Sequence, residues 1–386
     1  MKILLACQQS PHVYAIPAYG FWRTYFVQGL REAGHEVVEV PDADWARGLL
    51  PLPPREHARW RDETWSRTLA TARATPGLDL FLGYLYPRQI EPAAVRTLRA
   101  AGLPAVNFFC DNVREYRRLP AEFAPFDLHW VPEQAALPLY AARGWNAVFA
   151  PMPCWVPPRF RQPQPATDEI ARVTFIGRRD DLRANVLAGA ARAGLPLAIH
   201  GGGWTPEPAG AARPPATWRD RLADWTDYLR RQGFAAAWRR LASRRSGGAA
   251  PAFDFGPWLY PSPSDDDYAR LFVRSAVTLG INRYPDPLAP VPPAYSRLRD
   301  IEAPMLGACY LTEWAPELPS LFEPGREIEI YRDGTELAAK AAALLADAPR
   351  RAALRRAGQR RALADHTVGR TLARLAGRLG LLPPPP

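Results

Sequence analysis

Residues 299–366 run RDIEAPMLGACYLTEWAPELPSLFEPGREIEIYRDGTELAAKAAALLADAPRRAALRRAGQRRALADH. An acidic residue, Glu302, precedes a small-residue turn at Gly307 and the apolar run Ala308 to Leu311. Pro316 to Leu318, a Phe322 to Gly325 turn and a long Ala/Leu/Arg helix closing at His366-Thr367 come next. A helix, a strand, a helix and a further α/β element in that order continue an open parallel sheet.

The same alternation extends upstream. In residues 1–155 the apolar runs Ile3 to Cys7, Val37 to Val40, Asp79 to Tyr84, Ala105 to Cys110, Asp127 to Val131 and Ala147 to Ala150 read as strands. Phe21 to Ala33, Pro92 to Ala101 and Glu133 to Arg143 read as helices, each stopped by a glycine (Gly34, Gly102, Gly144). Short strands alternating with helices give a mainly parallel sheet covered on both faces. The prolines at 151, 153, 157, 158, 163 and 165 fit neither a central strand nor a helix interior, so a domain boundary is expected there.

A second domain over 156–365 opens with the strand Val173 to Gly177, the helix Leu182 to Ala193 and the strand Leu197 to His200. Residues 205–252 read as an insertion in which Trp218, Trp225 and Trp238 sit among arginines. Residues 366–386 form a C-terminal helix and a tail ending in Pro383 to Pro386.

At 386 residues the chain holds two ordinary cores, and 47% hydrophobic with 23% charged residues is a globular composition. The formal charge of +10 comes almost wholly from arginine, since Lys2 and Lys340 are the only lysines. With alanine and proline abundant, that is the coding bias of a GC-rich genome. No nucleic-acid-binding motif accompanies the charge, so nucleic acid is not an expected partner. Four widely spaced cysteines (Cys7, Cys110, Cys154, Cys309) lack metal-ligand spacing and point to a reducing, cytoplasmic compartment. The start, MKILLACQQS, reads as a strand and not a signal peptide. No stretch approaches the ~20 apolar residues of a membrane span. Residues 217–245, with tryptophans and arginines together, are the candidate for peripheral membrane contact, although the tryptophans packing onto their own domain is the plainer expectation.

The opening stretch closely resembles the C-terminal, nucleotide-sugar half of GT-B glycosyltransferases. The nearest branch is the CgeB-like, spore-maturation-type group related to the family 4 enzymes. The residues that carry the resemblance are Arg299 to Glu302, Gly307, Leu311 to Glu313, Leu321 to Ile328 and His366-Thr367. The match is strongest there and looser elsewhere. It implies an α/β fold of two Rossmann-like domains facing across a cleft, with the acceptor side first and the donor side second. It also implies transfer of a sugar, hexosyl in kind, from a nucleotide-diphosphate sugar to a hydroxyl acceptor, with retention at the anomeric carbon. Arginine and backbone N–H groups, with neither metal nor cofactor, would stabilise the leaving group.

By the same resemblance, Glu302 matches the second glutamate of the family 4 Glu-x7-Glu pattern, which holds the ribose hydroxyls. An ionised carboxylate suits a vicinal diol because it accepts two hydrogen bonds. The place of the first glutamate is Ala294, which puts a direct carboxylate contact to the sugar ring in doubt. Gly177 ends a strand in a turn where backbone could approach a phosphate, and Arg178 could pair with a diphosphate. Gly203, in His200 to Trp204, either admits a ligand or lets the chain turn. Asn282, Tyr295 and Arg299 are expected at the rim with Glu302, because open α/β sheets bind ligands at the C-terminal ends of their strands. Gly307 is counted with the donor-side residues, its steric role being the plainer one. On the acceptor side, Asp111 could deprotonate a hydroxyl or merely cap the next helix, and His12 is the rival base.

Two further readings stay open from the sequence. One is a non-catalytic sugar- or nucleotide-binding protein on the same scaffold, and the other is a peripheral-membrane interaction protein.

Overall fold

The computed structural model describes residues 1–14, 19–162, 168–205, 225–226, 228–229, 231–239 and 253–381. The chain forms two compact units, Met1–Trp155 with Asp365–Pro386, and Val156–Ala364. Each unit is built on a six-stranded sheet.

The first sheet comprises β1 (Lys2–Ala6), β2 (Glu36–Glu39), β3 (Leu80–Tyr84), β4 (Ala105–Phe108), β5 (Leu128–Val131) and β6 (Ala147–Phe149). Its order is β2-β1-β3-β4-β5-β6, parallel throughout. β1, β3, β4 and β5 are buried along almost their whole length, which explains their continuous apolar runs. The helix Pro54–Ala74, which sequence periodicity missed, buries Trp60, Thr64, Trp65 and Thr68. Trp65 meets Trp45 edge-on at 5.4 Å within the core of this unit. The helix Val368–Arg378 also belongs here. A Cβ at Gly29 would lie 2.7 Å from Val368, and one at Gly369 would lie 2.6 Å from Ala33. Small residues thus bring the helices Tyr19–Glu32 and Val368–Arg378 into close contact.

The second sheet comprises β7 (Ile170–Ile176), β8 (Leu197–His200), β9 (Leu259–Tyr260), β10 (Ser275–Gly280), β11 (Tyr310–Glu313) and β12 (Glu329–Tyr331). Its order is β12-β11-β10-β7-β8-β9, again all parallel. The long helix expected before His366 is in fact two, Gly334–Ala346 and Ala348–Asp365, with Asp347 between them accepting the N–H of Arg350 at 2.8 Å. Thr367 caps the helix that follows. Inside the second unit, Glu169 accepts from Arg355 at 2.9 Å and from Arg351, fastening Ala348–Asp365 to the start of β7. The stretch expected as an insertion falls inside the β8–β9 crossover, which a parallel pair requires. Residues 206–224 and 240–252 of that stretch, Trp218 among them, and the tail 382–386 lie outside the described residues.

Beyond the ends of β7 and β8 the pairing continues through glycines. The Gly177 N–H donates to the His200 carbonyl at 2.8 Å, and the Arg179 N–H to that of Gly202 at 3.0 Å. The Trp204 indole N–H donates to the Gly177 carbonyl at 2.8 Å. Gly201 has φ +124°, and a Cβ there would sit 2.4 Å from the Gly177 oxygen, whereas Gly202 has nothing within 4 Å. Glycine is therefore required at 201 by both space and backbone, and at 202 by neither.

Gly201→Ala should destabilise the protein by more than ~2 kcal/mol, and Gly202→Ala by less than ~1 kcal/mol. Urea denaturation of the two variants checks this, and equal effects would contradict it.

Candidate functional site

Strand order locates the ligand-binding ends. In the second sheet the connections reverse direction between β7 and β10, and in the first between β1 and β3. Open α/β sheets bind ligands outside the carboxyl ends of the strands at such switch points. In the second unit those ends lead into Gly177-Arg178 and Ile281-Asn282.

Arg178 is exposed there, its guanidinium without hydrogen bond or ion pair among the described residues, while its carbonyl accepts from Arg183 at 2.9 Å. Gly177 is less available than expected, since its N–H and C=O are both taken by the β8 loop. Gly203 lies in the left-handed region (φ +80°) near Arg179 and Arg178, so its freedom serves the turn.

Two sequence expectations, those for Asn282 and Tyr295, meet a different environment. Asn282, expected at the rim, is buried, and its amide nitrogen donates to Asp300 (3.3 Å), Thr312 (3.1 Å) and the Glu313 carbonyl (2.8 Å). Tyr295 is also buried, packed against Tyr284 at 5.3 Å and under the Arg297 guanidinium at 4.5 Å. Gly307 (φ +79°) closes the helix Leu298–Met305 and precedes the start of β11, at the end of the sheet away from the switch point. A Cβ there would come within 3.1 Å of Gln359, which makes its role steric. Glu317 is buried and accepts the Ser296 N–H at 2.9 Å.

Buried carboxylates hold this rim. Glu313 accepts the N–H groups of Asn282 and Arg283, both at 3.0 Å, and the Arg283 guanidinium at 2.6 Å. Asp300, fully buried, accepts from Tyr310 (2.7 Å), Thr312 (2.8 Å), Asn282 and the Arg297 N–H (2.8 Å). Burial pushes the Asp300 carboxyl above the ordinary aspartate range, against the pull of these donors.

Glu302 lies two residues further along the same helix and is 3% exposed. The Tyr268 hydroxyl, from the helix Asp265–Arg274, donates to its Oε2 at 2.6 Å. Arg299 reaches the Tyr268 oxygen at 3.2 Å, and its guanidinium lies 5.5 Å from the Phe272 ring centroid. Sequence reading missed Tyr268, Asp300 and the role of Glu313. The apolar spacing of Tyr268, Phe272 and their helix was the one available signal.

In the first unit the C-terminal ends of β3 and β4 bring together Tyr84, Tyr86, Cys110 and Asp111. The Tyr84 hydroxyl is 3.3 Å from that of Tyr86 and 3.4 Å from the Cys110 sulfur. Asp111 is half-buried, 3.7 Å from Arg114, and makes no capping hydrogen bond to its helix. That helix is capped instead from the loop after β5, by Glu133, which accepts the Asn112 N–H at 3.0 Å. Glu133 is fully buried, and its Oε1 has no hydrogen-bond partner. His12 is exposed, its backbone N–H bonded to Ser10 and its ring edge-on to Tyr14.

Two parallel, doubly wound six-stranded sheets are the architecture of glycosyltransferases of the GT-B type. The chain belongs to the glycosyl transferase-like family, whose model matches residues 178–377. Its fold is similar to that of sucrose-phosphate synthase from Thermosynechococcus elongatus (15% identity, 98% of each chain, TM-score 0.58). It is similar also to HepE of Anabaena, solved with UDP (14%, 99% of this chain and 100% of that one, 0.54). A third similar fold is a glycosyltransferase from Rickettsia africae (9%, 98% of each, 0.56). No curated protein sequence matches the chain. Among the described residues no helix is long and apolar enough to cross a membrane.

Burial, and then the charge of Asp111, push the Glu133 carboxyl from its ordinary 4.5 up to about 8. Between these values the unfolded chain releases a proton that the folded one keeps. Glu133 therefore costs stability increasingly as pH rises through that window. Glu133→Gln should gain on the wild type from about pH 5 upward and level off above about pH 8, in urea midpoints measured across the range. A gap independent of pH would contradict the assignment.

Proposed function

We propose that this protein transfers a hexosyl group from a nucleotide-diphosphate sugar to a hydroxyl acceptor, with retention and without a metal, as a member of the CgeB-like branch. The observation that carries the reading is Glu302, a buried carboxylate oriented by Tyr268 on the helix that follows the switch-point strand. In this reading Glu302 accepts hydrogen bonds from the donor ribose, which suits a carboxylate with two acceptor oxygens. HepE, of similar fold, is solved with UDP and with UDP-glucose, and a UDP-sugar is accordingly the donor proposed here.

In the reaction a bond forms between the acceptor oxygen and the anomeric carbon as the bond from that carbon to the diphosphate breaks. Arg178, exposed and uncommitted among the described residues, is assigned the charge developing on the diphosphate. Asp111 is assigned the acceptor proton, since it is the half-buried carboxylate just beyond the end of β4. His12, exposed on a loop, is the second choice.

A second partner is supported by the described part of the β8–β9 crossover. Phe234 is 75% and Trp238 61% exposed, their rings stacked at 6.3 Å beside Arg239. Trp238 thus departs from the plainer expectation that the tryptophans pack inward. Aromatic rings beside arginine on a helix suit an anionic lipid interface.

UDP at 100 times its Kd should stabilise the wild type by about 2.7 kcal/mol in thermal denaturation. Glu302→Ala should stay folded and bind UDP at least about tenfold more weakly. Unchanged affinity in the folded variant would remove the central assignment. Vesicles containing anionic lipid should sediment the wild type at low salt, less at high salt, and Phe234→Ala/Trp238→Ala hardly at all. Equal sedimentation of both would exclude these rings as the contact.

A further inference from the structure

Tyr268 is bonded to both Glu302 and Arg299, and the family pattern leaves its place in the reaction blank. Its ring packs edge-on against Phe272 at 5.0 Å, and Phe272 is fully buried, so the phenol is anchored at its base. A tyrosine hydroxyl has one proton to give. That proton goes to Glu302 Oε2 at 2.6 Å, so the contact from Arg299 at 3.2 Å must be donated by the guanidinium. The order arginine to tyrosine to carboxylate is therefore fixed in direction. Arg299 polarises the hydroxyl, and the hydroxyl holds the carboxylate.

A carboxylate that must meet a ribose diol needs a defined orientation, because a rotated carboxylate offers its lone pairs along the wrong directions. Glu302 is on one helix and Tyr268 on another, 34 residues apart in sequence, so the contact also fixes the spacing of the two helices. We infer that Tyr268 is a positioning residue that sets the Glu302 carboxylate for the ribose and so determines how strongly the site prefers a ribonucleotide to a 2′-deoxyribonucleotide donor. The inference rests on the assignment of Glu302 to the ribose made above. A site built to bond a hydroxyl rejects the ligand that lacks it, because its own polar group is left unpaired.

The test is calorimetric binding of UDP, ADP and GDP, each beside its 2′-deoxy counterpart, to the full chain. The wild type should favour the ribo form of its preferred base by about tenfold or more, equivalent to ~1.4 kcal/mol. Tyr268→Phe should lose most of that ratio by weakening the ribo form, leaving the deoxy form nearly unchanged. Tyr268→Leu, which also removes the donor, is read beside it so that the result does not hang on the folding of one variant. Glu302→Ala should abolish the ratio, and adding Tyr268→Phe to it should change nothing further, as for two groups acting as one. A folded Tyr268→Phe with the wild-type ratio overturns the inference, and loss of the ratio in Glu302→Ala alone would then leave the ribose reading standing. A ratio unaffected by Glu302→Ala, or no binding of any of the three nucleotides, overturns both.

Discussion

Where the strands of the second sheet end, their ladder of backbone hydrogen bonds ends too, and three carboxylates take over. Glu313, Asp300 and Glu317 accept the N–H groups of residues 282, 283, 296 and 297, giving the chain after β10 an interior to fasten to. Burying a carboxylate is unfavourable unless every lone pair facing inward is met. The donors from Arg283, Tyr310, Thr312 and Asn282 meet them. The path of residues 282–297, the start of the helix Leu298–Met305 and the location of Glu302 all follow from this arrangement. It also explains why Asn282 and Tyr295, plausible ligand contacts by position, are committed to the interior.

Much of the fold was legible because parallel strands buried on both faces leave continuous apolar runs. Ile3 to Ala6, Leu80 to Tyr84 and Val173 to Ile176 are of this kind, with a glycine stopping several of the intervening helices. The strand Leu259–Tyr260 was not legible, being two residues long and followed by Pro261. The helix Pro54–Ala74 escaped because its buried face is made of tryptophan and threonine, which carry little periodic signal in an otherwise charged segment. Glu302 was reached through a family pattern and not through periodicity. Tyr268, Asp300 and Glu133 were out of reach for one common reason: their meaning lies in burial and in partners distant along the chain.

The glycines of His200 to Trp204 separate two demands that look alike in sequence. Gly201 is needed because the β7 and β8 loops touch, and Gly203 because the backbone turns left-handed, while Gly202 answers to neither. A run of glycine beside a strand end is thus not by itself a phosphate cradle. Fold resemblance has the same limit, since one scaffold hosts many chemistries. The proposed donor site accordingly comes down to Glu302, its tyrosine, and Arg178, uncommitted among the described residues.

The helix Val368–Arg378 completes the first unit by lying against Tyr19–Glu32, with the whole second unit encoded between them. During translation, residues 1–155 would emerge with that face of Tyr19–Glu32 still bare. It would stay bare until residues 368–378 had been made. Over that interval the nascent chain carries an unfinished apolar surface through the synthesis of another domain, a window in which chaperone capture competes with misassembly. The order in which the ribosome delivers the sequence is therefore not the order in which the two cores can close.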